Sequence, residues 1–253
     1  MEGNDRAAAR VMRLLHNSIE KKRLSHAYLF EGKKGTGKLD AALLLAKSFF
    51  CLEDGTEPCG ECRNCKRIES GNHPDLHVVQ PDGLSIKKAQ IQSLQEEFSK
   101  TGLESHKKLY IISHADQMTT NAANSLLKFL EEPSQDTIAI LITEQLHRIL
   151  DTIVSRCQVL PFQPLQPKAI EERLIEQEVS LHMARLLANM TNNIAEAVEL
   201  SRNDEFAESR AKVIKLYEVL HQRKGHAFFF IQDQWVPFFK EKPIKKWVLI
   251  CSY

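Results

Sequence analysis

A glycine turn, Gly32-Lys-Lys-Gly-Thr-Gly-Lys38, joins a short aromatic and aliphatic run at 27–31 to an alanine- and leucine-rich run at 39–51. Strand, glycine turn, helix is how a phosphate-binding α/β unit opens. The turn fits the pattern G-x-x-x-x-G-K-[ST] everywhere but its last position. Gly32, Gly35 and Gly37, with Thr36 between them, release backbone N–H groups to wrap phosphate oxygens, and Lys38 reaches terminal phosphates. The next residue should carry a hydroxyl for magnesium, and Leu39 has none. Two readings stand: a loop that keeps residual nucleotide binding, and one kept only for its shape. Metal-dependent hydrolysis is not expected from either, and no catalytic magnesium is required.

The rest of the first 160 residues supplies the sheet for such a loop. Strands are expected at 76–80, 109–113 and 137–143, with helices at 12–21, 87–100, 120–132 and 146–153. Strands each linked by a helix imply a mostly parallel sheet covered on both faces. The strand at 109–112 runs into Ser113 and His114, where a working site would place an Asp and a Glu. Asp116 comes three residues late and is expected to cap or begin the next turn. Pro161, Pro164 and Pro167 mark a linker, and 168–202 is helical throughout, so the boundary is placed near Pro161. A long helix at 205–223 precedes an aromatic segment at 228–239.

Cys59, Cys62 and Cys65 follow a C-x-x-C-x-x-C spacing, with Cys51 ending the preceding helix as a fourth candidate ligand. Four thiolates suit a closed tetrahedral structural zinc site. An iron–sulfur cluster and chance clustering of thiols are the alternatives. Lys+Arg 34 against Asp+Glu 33 gives a net charge of +1, without the basic excess of a stand-alone nucleic-acid binder. Lys21, Lys22, Arg23, Lys87, Lys88, Lys107 and Lys108 could line an inner surface, although runs of this size are usually solvated. No apolar run or secretory leader is evident, so a cytosolic protein is expected and its cysteines are not assigned to disulfides.

In the run Asn121-Ala-Ala-Asn-Ser-Leu-Leu-Lys-Phe-Leu-Glu-Glu-Pro133, Ala123, Leu126, Leu127 and Leu130 share one face, as in a core helix. Arg156, in Ser155-Arg-Cys157, reads by itself as a surface ion pair. These runs, together with His26-Ala-Tyr-Leu-Phe30, the glycine loop and the four cysteines, resemble the bacterial clamp-loader subunits of the AAA+ class. The lost metal ligands place the resemblance with a member that does not hydrolyse ATP, rather than with the ATP-hydrolysing gamma/tau type.

The resemblance implies an AAA+ α/β domain at 1–161 with a zinc module at 51–65, a helical lid at 162–204, and a partial helical collar at 205–253. It implies a rigid stator in the DNA polymerase III clamp loader, a complex with DNA-directed DNA polymerase activity in the cytoplasm at the replisome. Its partners would be gamma/tau and delta subunits, with the sliding clamp and primer-template DNA met through the complex. Arg156 would serve ATP on the adjacent subunit in trans, positioned by Ser155 and Cys157. Where the ATPase members carry a nucleotide-sensing arginine in the lid, this sequence has Ala195. A collar normally continues further, and 242–253 does not extend its pattern, so the expectation is a collar cut short there.

Overall fold

The computed structural model describes residues 5–21, 23–53, 55, 57–99, 107–131, 136–222 and 231–236. Chain contacts divide it into two compact units, Met1–Leu165 and Gln166–Tyr253. The first is built from α1 (Asp5–Glu20), β1 (Ala27–Glu31), α2 (Lys38–Phe50), α3 (Arg63–Glu69), β2 (Leu76–Val79), α4 (Lys88–Ser99), β3 (Lys108–Ile112), α5 (Thr120–Glu131), β4 (Thr137–Thr143), α6 (Asp151–Val154) and β5 (Gln158–Pro161).

The five strands form one parallel sheet in the order β2-β3-β4-β1-β5. Period-two alternation assigns their side chains to two cores, one on each face. Tyr28, Phe30, Leu109, Ile111, Ile138, Ile140 and Ile142 join one cluster with α2 residues Ala42 and Leu45. Ala27, Leu29, Tyr110, Ile112, Ala139 and Leu141 join the other with α5 residues Ala122, Leu126 and Leu130. Every residue of β4 is buried, as expected of an inner strand covered on both faces. Ala123 is buried as expected, while Leu127 is only half-buried.

The chain departs from the sequence reading in several places. The first helix begins at Asp5 rather than near residue 12. The polar cysteine stretch contains α3, whose N-cap is Cys62. The expected helix at 146–153 is two pieces, a 3₁₀ turn at Leu146–Arg148 and α6, because Ile149 and Leu150 take extended backbone angles between them. The proline-marked linker begins with a strand: β5 pairs with β1 from Tyr28↔Gln158 to Glu31↔Pro161. It lies at the sheet edge, where a proline removes no ladder donor.

The second unit comprises α7 (Pro167–Glu176), α8 (Leu181–Met190), α9 (Ile194–Ser201) and α10 (Asp204–Gln222), followed by a π-helical turn at Ile231–Trp235. Pro167 opens α7 at a position that needs no N–H donor. Asn193 and Asn203 cap α9 and α10, their Oδ1 atoms accepting from the amides of Glu196 at 3.2 Å and Phe206 at 2.9 Å. Ile170, Leu174, Ala184, Leu187, Ala197 and Phe206 are buried in this unit. Most of the expected aromatic segment, and 242–253, lie outside the described residues. Among those described, no helix is long and apolar enough to cross a membrane.

Candidate functional site

In an open parallel sheet, ligands bind beyond the carboxyl ends of the strands where the strand order reverses. Here that point is the end of β1, between β4 and β5, and the glycine turn starts there. Gly32 is fixed by close approach: a Cβ on it would lie 2.3 Å from the Phe162 carbonyl oxygen. That oxygen is itself held in place, since the Phe162 amide donates to Glu31 O at 2.6 Å. Gly32→Ala is therefore expected to push the loop away from β5 and destabilise the unit by about 1–3 kcal/mol, measurable by denaturant unfolding. Gly35 and Gly37 have φ of 81° and 77°, the left-handed region that glycine enters without strain.

Lys38 is buried at the start of α2 and turned into its own loop. Its Nζ donates to the carbonyls of Gly32 and, at 2.7 Å, Lys33, and lies 3.4 Å from Thr36 Oγ1. Burial lowers its pKa, and the negative charges of Glu144 and Asp116 oppose that shift. A phosphate entering this cradle must take the ammonium away from backbone oxygens that already satisfy it. Leu39 follows with its side chain partly exposed and no ligand atom to offer.

Ser113 follows β3 and is buried, with His114 beyond it at φ 54°. Asp116 does more than begin the 3₁₀ turn Ala115–Gln117. It is buried, and its Oδ1 accepts from Thr143 Oγ1 at 2.9 Å and from the Glu144 amide at 3.3 Å. The carboxylate thus clamps the segment after β3 to the end of β4. Sequence reasoning missed this contact because its partners lie 27 and 28 residues apart.

Arg156 follows α6 at the surface. Its Nη2 donates to Glu131 Oε1 at 2.7 Å and its Nη1 to Thr152 O at 2.8 Å, with Ser155 Oγ at 3.5 Å. Ser155 also donates to Thr152 O. Cys157 packs into the second core, and burial raises its thiol pKa to about 12, so it is an inert spacer rather than a nucleophile. Glu131 ends the core helix α5, and its pairing with Arg156 is a second residue role the sequence did not reveal.

The four cysteines come together at the end of α2 and the start of α3, their sulfurs all within 4.8 Å of one another. Cys51 and Cys59 Sγ are 3.6 Å apart, and zinc–thiolate bonds of about 2.3 Å in a tetrahedron require about 3.8 Å. The donor set therefore fits a closed site for a metal such as zinc. Burial works against a thiolate at Cys62, but N–H groups of Leu52 and Cys65, together with sulfur contacts, outweigh it and lower the pKa to about 6. Cys65 is pushed up to about 12 by burial and by its cysteine neighbours.

The remaining candidates are dispersed. Lys87 pairs with Asp82 at 3.3 Å, and Lys107 donates to Phe49 O at 2.9 Å while lying over the Phe49 ring. Lys88 lines a polar hollow with Gln92 and Asn121, and Lys22 is outside the described residues. Ala195 lines an open hollow of about 820 Å³ in the second unit, with Ile194, Val198 and Arg202.

A family model described as "DNA polymerase III, delta subunit" matches residues 7–166. A DNA polymerase III subunit delta' from Bacillus subtilis is 90% identical over 233 residues, covering 92% of this chain and 71% of that protein. The chain belongs to the DNA polymerase III delta-prime family. The resemblance to clamp-loader subunits holds on that ground, and with it a place among the components of DNA polymerase III. The tau subunit of Bacillus subtilis is 37% identical over 166 residues, covering 65% of this chain and 29% of that protein. Among solved structures, a gamma subunit-related protein from Thermotoga maritima superimposes with a TM-score of 0.52 at 19% identity, covering 95% of this chain and 75% of that one. The Thermotoga maritima RuvB Holliday junction branch migration motor gives 0.51 at 15% identity, covering 91% and 69%. These two likenesses bear out the fold, a parallel sheet with helices following.

Proposed function

We propose that this delta-prime family member is the stator of the clamp loader, hydrolysing no ATP itself and offering Arg156 to ATP on a neighbouring gamma/tau subunit. In that role it takes part with delta in loading the sliding clamp onto primed DNA, in the cytoplasm at the replisome. The α/β domain at 1–161 provides the platform, the lid at 162–204 lacks a sensing arginine at Ala195, and the collar segment at 205–253 supplies assembly contacts. Zinc, held by Cys51, Cys59, Cys62 and Cys65, contributes folding energy to the module and no chemistry.

One observation carries the reading. Leu39 and Ser113 stand at the two places from which a phosphate-loop enzyme holds magnesium, while Arg156 is retained at the surface of the same unit. The purified chain is accordingly expected to release no phosphate from ATP with or without magnesium. Leu39→Thr should not start turnover, because the carboxylate missing at Ser113 is still missing. Magnesium-stimulated release by the isolated chain would overturn the assignment.

The intact glycine cradle favours a second reading, nucleotide binding without turnover. Titration with a non-hydrolysable ATP analogue separates the two. Binding that ignores magnesium supports a sensor, no binding leaves a pure stator, and binding that magnesium strengthens contradicts both.

A further inference from the structure

Glu131 occupies an electrostatically poor place. It closes α5, where the partial negative charge of the helix C-terminus disfavours a carboxylate. Its compensation comes from Arg156, 25 residues on, through the 2.7 Å charge-assisted hydrogen bond. The other guanidinium contacts, to Thr152 O and Ser155 Oγ, also belong to the arginine's own subunit. The side chain is thus folded back along its own chain. The pair is nonetheless within reach of solvent and of a competitor, with side-chain exposures of 35% for Arg156 and 49% for Glu131.

We propose that Glu131 is a positioning residue that parks Arg156, and that the terminal phosphate of a nucleoside triphosphate on the adjacent subunit takes its place. The inference rests on the arginine-finger reading and adds the group that controls the finger. A triphosphate terminus carries more negative charge than one carboxylate and presents several oxygens to the planar fork, so it displaces a partner held only at the surface. Until it does, the neighbour's site sees a reaching arginine for only part of the time, and its apparent affinity falls by that fraction. Parking therefore weakens ATP binding next door without supplying any step of the chemistry.

The test uses the clamp-loader complex assembled from the full chain with its ATPase and clamp-opening subunits. Glu131→Gln keeps the side-chain shape and removes the charge. It is expected to lower the KM for ATP at the neighbouring site about two- to fivefold, the range of an exposed ion pair, with the change in KM rather than kcat. In an Arg156→Ala background the same substitution should have no effect. A raised KM, a fallen kcat, or an equal effect without the arginine overturns parking. If Arg156→Ala slows turnover while Glu131→Gln matches the parent, parking alone falls. If Arg156→Ala itself changes nothing, the finger reading falls and takes parking with it.

Discussion

Arg156→Ala is expected to slow ATP hydrolysis at the one neighbouring site it serves by about 10³-fold while leaving the chain folded. An arginine finger stabilises charge that develops on the transferred phosphoryl group, and its loss costs about 10³–10⁵ in rate, so the lower end corresponds to about 4 kcal/mol. Stability is expected to change little, because the side chain is partly exposed and its ion pair with Glu131 is worth at most about 0.2–1 kcal/mol in solvent. Arg156→Lys should not restore the rate, since an ammonium lacks the planar pair of donors that the guanidinium offers a phosphate. The other ATP sites would still turn over, so steady-state rates understate the effect. Single-turnover measurement, with the remaining sites disabled, isolates it. A complex that hydrolyses ATP at the parent rate under those conditions would remove Arg156 from the chemistry.

The parts of the molecule that could be read from the sequence are those governed by neighbours along the chain. The run from β1 through the glycine turn into α2 is one such part, because local φ preferences and period-two burial settle it. The cysteine spacing is another: C-x-x-C-x-x-C places three sulfurs on one turn and helix start, and the end of α2 brings the fourth. What escaped depends on distant partners or on context. β5 was hidden because its Pro161, with Pro164 and Pro167 after it, signals a linker, and only the strand's position at the sheet edge makes Pro161 tolerable. Leu146, Ile149, Leu150 and Ile153 have helical spacing, yet the backbone straightens at Ile149 and Leu150, where burial rather than helix periodicity sets the conformation. Asp116 meeting Thr143, and Glu131 meeting Arg156, join residues more than a strand and a helix apart. No window of sequence displays such pairs, although they define how the site's charged groups are held.

Removing the metal, or one sulfur, is expected to produce the largest structural change. The purified chain should contain about one zinc per molecule by elemental analysis, and Cys65→Ser should abolish retention, a loss beyond the 10–100-fold that follows from losing an outer-shell partner. Cys65 is the buried ligand, and α3 begins with sulfur-centred contacts, the Cys62 sulfur accepting from the Cys65 amide at 3.5 Å. Without metal, the contacts that still hold the 57–69 segment include Ile68 in the first core, the Asn64-to-Phe50 hydrogen bond at 2.8 Å, and the Lys47–Glu69 pair. That segment should become the first site of limited proteolysis, while the sheet, whose cores draw only Ile68 from that segment, retains its unfolding transition. The pH dependence has a definite sign. Metal uptake must expel the Cys65 proton, held with a pKa of about 12 in the metal-free chain, so zinc affinity should rise about tenfold per pH unit near neutrality from that proton alone and fall in acid. Cys62, lowered to about 6, adds to the decline only below that pH. A zinc affinity that is flat between pH 6 and 8 would show that no Cys65 proton leaves on binding, a Cys65→Ser chain that keeps its metal would remove Cys65 from the ligand set, and a parent chain that takes up no zinc would show that the four sulfurs meet for packing and not for a cation.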